Sequence, residues 1–347
     1  MSSFSKNLRF YRLKSGMTKK ELADKCQLTP MAISNYENGK RTPRYDLIEE
    51  IANVLNVRFV DLINTRDESL VFSYGEFRKS ESLSGYQEEL IKASTEDYLD
   101  SLLSAAFFIS GKVLPDCPSC HVLNLSDNIE NDAKALRQYL GFPLSGPIPN
   151  MITSLENKGI LVYKCYDAGE AFSGMNGFVN DRPFIVINGN MNPERNRATM
   201  AHELAHLMFI RDDAMSSKAI ESRVTAISGA FLIGLADLQL EVGIKRDEIT
   251  SDMLMVCKKY GISSCLLVRR MKVTGIIEDS LEEQFYTDHP SWHEEEPSRI
   301  QDESSDLLEQ LVLRAISERE ISIMKGAELL KDNYDGVLNR LNRIREG

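Results

Sequence analysis

The stretch 199-TMAHELAHLMF-209 places two histidines four residues apart, with a glutamate directly after the first. Four residues turn a helix by about 400°, so His202 and His206 project from one face and can share a metal ion. Glu203 then lies beside them, close enough to deprotonate a metal-bound water. The spacing predicts a helix over 195–209, a zinc ion held by His202 and His206, and Glu203 as a general base. A catalytic zinc takes a third protein ligand and keeps one position open. Asp212 and Asp213, just past the helix, and Glu221, at the start of the next helical stretch, are all in reach. A His-x-x-Gly-x-x-His continuation is excluded, because Phe209 and Asp212 stand where Gly and His would be required.

Outward from this helix the pattern mixes periods: a helix over 129–140 and short strands over 159–165 and 183–188 precede it, and a second helix over 219–234 follows. That alternation predicts an α+β domain spanning 119–279. Residues 67–118 mix Ser, Gly and charge before a helical run, and are read as a linker and helical arm. Residues 280–347 are read as an acidic connector and a C-terminal helical region. From Glu278 to Glu309 there are 12 acidic residues against one basic residue, Arg299, which suits a solvated connector. No internal repeat is visible.

Residues 1–66 read as a separate all-α module. Thr18 caps a helix over 19–26, and Thr29, with Pro30 in the first turn, opens another that runs to Asn38. The two are joined tightly at Gln27 and Leu28, as in a helix-turn-helix, with Leu22, Ala23, Ile33 and Tyr36 packing the pair together. That packing leaves Thr29, Met31, Ala32 and Asn35 on the part of the second helix that meets base edges. Lys19, Lys40 and Arg41 flank it for phosphate contacts. Glu37 reads as a helix-packing hydrogen-bond acceptor rather than a base contact.

The chain has 347 residues and a formal net charge of −11, an average that hides an asymmetry. The first 65 residues carry 11 Lys/Arg against 7 Asp/Glu, so a basic module precedes an acidic body. Hydrophobic residues make up 42% and no apolar run is long enough to span a bilayer, so no membrane association is expected. The first residues lack a secretory signal, which places the protein in the cytoplasm with its six cysteines reduced. Cys117, Cys120 and His121 spell the C-x-x-C-H of covalent haem attachment; without an export signal they read as a surface turn.

Residues 5–62 resemble the phage-repressor (Xre/Cro) helix-turn-helix family, through ELA at 21–23, the IS-x-x-E-x-G run at 33–39 and Pro43. Residues 129–279 resemble the ImmA/IrrE family of zinc metallopeptidases. The resemblance rests on IENDAKALRQYLG at 129–141, SLENKGILV at 154–162, PFIVIN at 183–188, Arg195 and Arg197, AHELAHL at 201–207, and IES followed by GAFLIG. It implies a zincin-like domain in which Glu221 is the third zinc ligand beside His202 and His206. Ile227 and Ser228 replace the family's usual Phe-Ala pair, and Ala205 and Gly234 its usual Gly and Pro; none of these is a ligand.

Together the readings predict a DNA-binding regulator, dimeric on a double-stranded operator, whose zinc peptidase cleaves a regulatory protein such as a repressor or antitoxin. The competing expectation is a transcription factor whose peptidase-like domain is inactive and senses a metal or ligand.

Overall fold

The computed structural model describes residues 2–79, 83–211, 214–288 and 297–346. Five short helices come first: α1 (Ser3–Lys14), α2 (Lys19–Lys25), α3 (Pro30–Glu37), α4 (Tyr45–Leu55) and α5 (Phe59–Ile63). Local hydrogen bonds set their ends. Thr18 and Glu21 form a reciprocal capping box at α2, and the Thr29 side chain accepts from Ala32 N at α3, where Pro30 needs no donor of its own. Leu8, Leu22, Ala23, Ile33, Ile51 and Leu62 meet in the core of this module. Glu37 is buried with them and accepts from both Nε and Nη2 of Arg12, which also donates to Met17 O. The pair braces α1 against α3.

A four-stranded sheet follows, built from β1 (Phe72–Lys79), β2 (Leu161–Cys165), β3 (Phe172–Val179) and β4 (Arg182–Asn188) in the order β1-β3-β4-β2. β3 is antiparallel to both β1 and β4, while β2 runs parallel to β4. Helix α6 (Gly85–Phe108) lies between β1 and the next helices, α7 (Ile129–Tyr139) and α8 (Met151–Glu156). After β4 come α9 (Pro193–Met208), α10 (Ser217–Leu232), α11 (Leu235–Val242), α12 (Met253–Tyr260), α13 (Ser264–Val273) and α14 (Asp279–Asp288). The last three are α15 (Leu307–Ser317), α16 (Ile323–Leu329) and α17 (Tyr334–Glu346).

Both faces of the sheet are buried, which is why PFIVIN reads as an unbroken apolar run rather than an alternating one. Ile185 and Ile187 of β4 pack with Met200, Leu204 and Val224 of α9 and α10. Phe184 and Val186 turn the other way, onto Ile91, Leu99 and Leu102 of α6 and Leu311 and Val312 of α15. The architecture is the expected one: a helical module, an α+β body and C-terminal helices. Among the described residues no single helix is long and apolar enough to cross a membrane.

Two stretches depart from their expected roles. Residues 72–79, read as linker, form an edge strand, and α6 covers the sheet's second apolar face instead of projecting as an arm; a sheet apolar on both sides cannot leave one to water. The second departure is in the acidic connector, where Glu303 is docked rather than solvated and Asp302, though exposed, pairs with a buried lysine. Lys164 donates to Asp302 Oδ1 (2.5 Å) and Glu303 O (3.1 Å), and Arg197 to Glu303 Oε1 (2.5 Å). Excess negative charge here answers two cations buried on the body. Trp292 lies outside the described residues.

Candidate metal centre and nucleic-acid interface

Asn192 caps α9 by accepting from Arg195 N, with Pro193 in the first turn, so the helix is set almost three turns ahead of His202. His202 and His206 follow on one face with their Nε2 atoms 3.1 Å apart. The third group comes from α10, whose first turn is fixed by Ser216 accepting from Ala219 N. Glu221, at the start of the second turn, places Oε2 at 3.2 Å from His202 Nε2 and Oε1 at 3.0 Å from His206 Nε2. Tetrahedral zinc with bonds of about 2.0–2.1 Å would hold its ligand atoms roughly 3.3 Å apart. The donor set of two imidazoles and one carboxylate, converging at nearly that spacing, therefore fits zinc without rearrangement. Asp212 and Asp213 lie outside the described residues.

Groups distant in sequence hold this centre. Thr225 Oγ1, one turn along α10 from Glu221, is 3.3 Å from His202 Nδ1 and steadies that ring. Glu203 is buried, and its Oε2 accepts from Asn176 Nδ2 of β3 at 2.7 Å. β3 passes so close over α9 that a Cβ on Gly174 would lie 2.4 Å from Thr199 Cγ2 and 3.6 Å from Glu203 Cγ. Glycine is required at that crossing. Ile227 and Ser228, at the family's Phe-Ala position, contribute a core side chain and a hydroxyl that donates to Thr225 O (2.8 Å).

Beside the centre a cleft of about 280 Å³ is lined by Ser73 to Gly75, His121, Asn176, Phe178 and His206. His121 enters it because residues 121–123 cap the end of α9. His121 N donates to Leu207 O and Val122 N to Met208 O, while His121 Nδ1 sits 3.2 Å from Phe209 O. The C-x-x-C-H motif thus has one member in the cleft. Cys117 is exposed, and burial pushes the Cys120 thiol up to about 11, which argues against a thiolate pair. Arg197 donates to Ile148 O, Pro149 O and Glu303 and serves packing; Arg195 reaches Ser173 Oγ at 3.4 Å.

At the other end of the chain, Thr29 and Met31 are exposed and Ala32 and Asn35 half-buried on α3, with Ile33 and Glu37 turned into the core. Lys40 and Arg41 are exposed just past the helix. Lys19 leans toward the buried carboxylate of Glu37 (3.5 Å), so it partly neutralises that charge as well as facing solvent.

Asn176, Thr225 and the cleft position of His121 were not foreseen. No spacing in the sequence signals them, since each acts through a partner on another element.

Comparison with known proteins agrees with both halves. Residues 8–62 match the helix-turn-helix family model, and residues 155–272 match the model of the IrrE N-terminal-like domain, a peptidase family. The chain is 29% identical over 106 residues to the uncharacterized HTH-type transcriptional regulator YqaE of Bacillus subtilis (strain 168), covering 30% of this chain and 88% of the relative. It is 41% identical over 63 residues to an uncharacterized HTH-type transcriptional regulator of Archaeoglobus fulgidus, covering 18% of this chain and 90% of the relative. No solved structure matches the chain.

Proposed function

The chain belongs to the HTH-type transcriptional regulators and carries an IrrE-like peptidase domain, and from that premise we propose that it binds a specific duplex operator and hydrolyses a regulatory protein at a zinc centre. The observation that carries the reading is the convergence of His202, His206 and Glu221 beside a buried, hydrogen-bonded Glu203. His202, His206 and Glu221 would hold the ion. Zinc, when bound, polarises a peptide carbonyl and acidifies water. Glu203 takes the proton of the attacking water and returns it to the departing amine nitrogen. Asn176 aims that carboxylate by anchoring Oε2, and Thr225 fixes the orientation of His202.

For the operator, Thr29, Met31, Ala32 and Asn35 supply base-edge contacts and Lys19, Lys40 and Arg41 phosphate contacts, with two chains reading two half-sites. The combined reading is tested by measuring zinc content and the cleavage of co-expressed candidate repressors by wild type and Glu203→Gln. Stoichiometric zinc in both, with cleavage by wild type alone, is expected. Zinc in both with no difference in cleavage or in regulation would replace the peptidase with a metal-sensing domain.

A further inference from the structure

We propose that the first substrate of this cleft is the chain's own strand β1, and that hydrolysis at its bulge severs the DNA-reading module from the body. The proposal rests on the peptidase reading above and adds the substrate.

β3 crosses α9 directly over Glu203, so a strand that adds to the outer edge of β3 arrives beside the general base. β1 occupies that edge. It pairs antiparallel, Phe72 with Val179, Ser73 with Phe178 and Tyr74 with Gly177, after which the register slips and Phe77 faces Met175. Three steps on β1 therefore span two on β3, and the extra residue falls opposite Asn176, the side chain that holds Glu203. A Cβ on Gly75 would lie 2.3 Å from Asn176 Oδ1, so a side chain here would push on the amide that holds Glu203. A bulge also takes a peptide group out of the ladder. Ser73, Tyr74 and Gly75 line the same cleft as His206. An extended peptide laid along a sheet edge is how strand-binding sites take their ligands, and here the ligand is covalently supplied.

The step is a simple hydrolysis. The oxygen of one water bonds to the carbonyl carbon of a peptide between Tyr74 and Phe77, the C–N bond breaks, and the water's proton passes through Glu203 to the amine. The products are a carboxylate on the N-terminal fragment and an amine on the rest. The module would then be held by non-covalent contacts such as Arg66 with Asp97 (2.8 Å) and Tyr86 Oη with Leu13 O.

The test uses the full-length protein, stripped of metal and then given zinc. Two fragments should appear whose masses sum to the chain plus one water, with the break between residues 74 and 77 and a rate independent of protein concentration. Glu203→Gln should stay whole, and Gly75→Ala should cut at least tenfold more slowly. A readout that needs no activity is hydrogen exchange in the metal-free protein: residues 72–75 should be protected in wild type and exchange at least tenfold faster in Gly75→Pro. Fast exchange there in wild type would overturn the placement of β1. If the zinc-loaded protein degrades casein in a Glu203-dependent way but leaves residues 72–79 intact, the self-substrate proposal fails and the peptidase stands. If only Gly75→Ala or Gly75→Pro degrades casein, β1 is a blocking strand and not a substrate. If neither casein nor β1 is cut by any variant, this proposal fails, while the peptidase reading stands or falls on the co-expressed repressors.

Discussion

Replacing Glu221 with alanine should weaken zinc binding by about a hundred- to a thousandfold without unfolding the protein. The two imidazole Nε2 atoms are 3.1 Å apart and each lies 3.0–3.2 Å from one oxygen of the Glu221 carboxylate, close to the separation a tetrahedral shell demands, so binding needs little reorganisation. A four-ligand structural zinc site contributes about 10–16 kcal/mol, or roughly 2.5–4 kcal/mol per protein ligand, which is about two to three decades in Kd. The fold should survive because the Glu221 side chain is 42% exposed near the start of α10, whereas that of His202 is 2% exposed. Competition against a chromophoric chelator gives the affinity, and circular dichroism of the metal-free variant checks the fold. Glu203→Gln provides the contrast: its carboxylate is anchored on Asn176 and assigned to water, so zinc affinity should stay within about threefold of wild type while hydrolysis falls about 10²–10⁴-fold. Near-normal zinc in Glu221→Ala, with loss in Asp212→Ala or Asp213→Ala, would refute the assignment of the third ligand.

Arg12→Met should destabilise the N-terminal module by about 3–5 kcal/mol, read as faster hydrogen exchange in α1 and α3, because it strands the buried Glu37 carboxylate; Arg12→Met with Glu37→Leu should recover most of that loss. Arg41→Ala should weaken binding to every duplex and flatten its salt dependence, whereas Asn35→Ala should change sequence preference at about 1–3 kcal/mol per lost base contact; equal binding of all duplexes by wild type at moderate salt would contradict the base-reading assignment. Burial raises the Glu156 carboxyl to about 7 despite its hydrogen bond from Ser305. A raised carboxyl pKa favours the folded state at low pH, so this contribution is complete below about pH 4.5 and is lost as pH rises through about 7. Relative to Glu156→Gln, wild type should lose up to about 3 kcal/mol between pH 4.5 and 7.5 in urea unfolding; a constant difference would show that Glu156 does not titrate in that window.

Some of this molecule could be read directly from the order of residues, because the causes are local. His202 and His206 share a face through helical pitch alone, Thr18 and Thr29 cap their helices through bonds three residues long, and PFIVIN announces a short strand. The helix-turn-helix is legible for the same reason, since its elements pack against near neighbours in the chain. The bond between Asn176 and Glu203 spans 27 residues, Arg197 meets Glu303 across 106, and β1 meets β3 across about a hundred. None of these pairs leaves a period or a spacing in the sequence. Residues 72–79 carry Ser, Gly and charge and so resemble a linker; only the open edge of β3 makes them a strand. Glu303 resembles solvated acid until Arg197 is brought beneath it, and Asp302, still exposed, gains Lys164 as a partner in the same way. Spacing left Glu221 as one of three carboxylates in reach, and the packing of α10 on α9 brings its oxygens to the histidines. Local sequence sets which groups a helix presents, while the layering of helices on the sheet decides which of them meet.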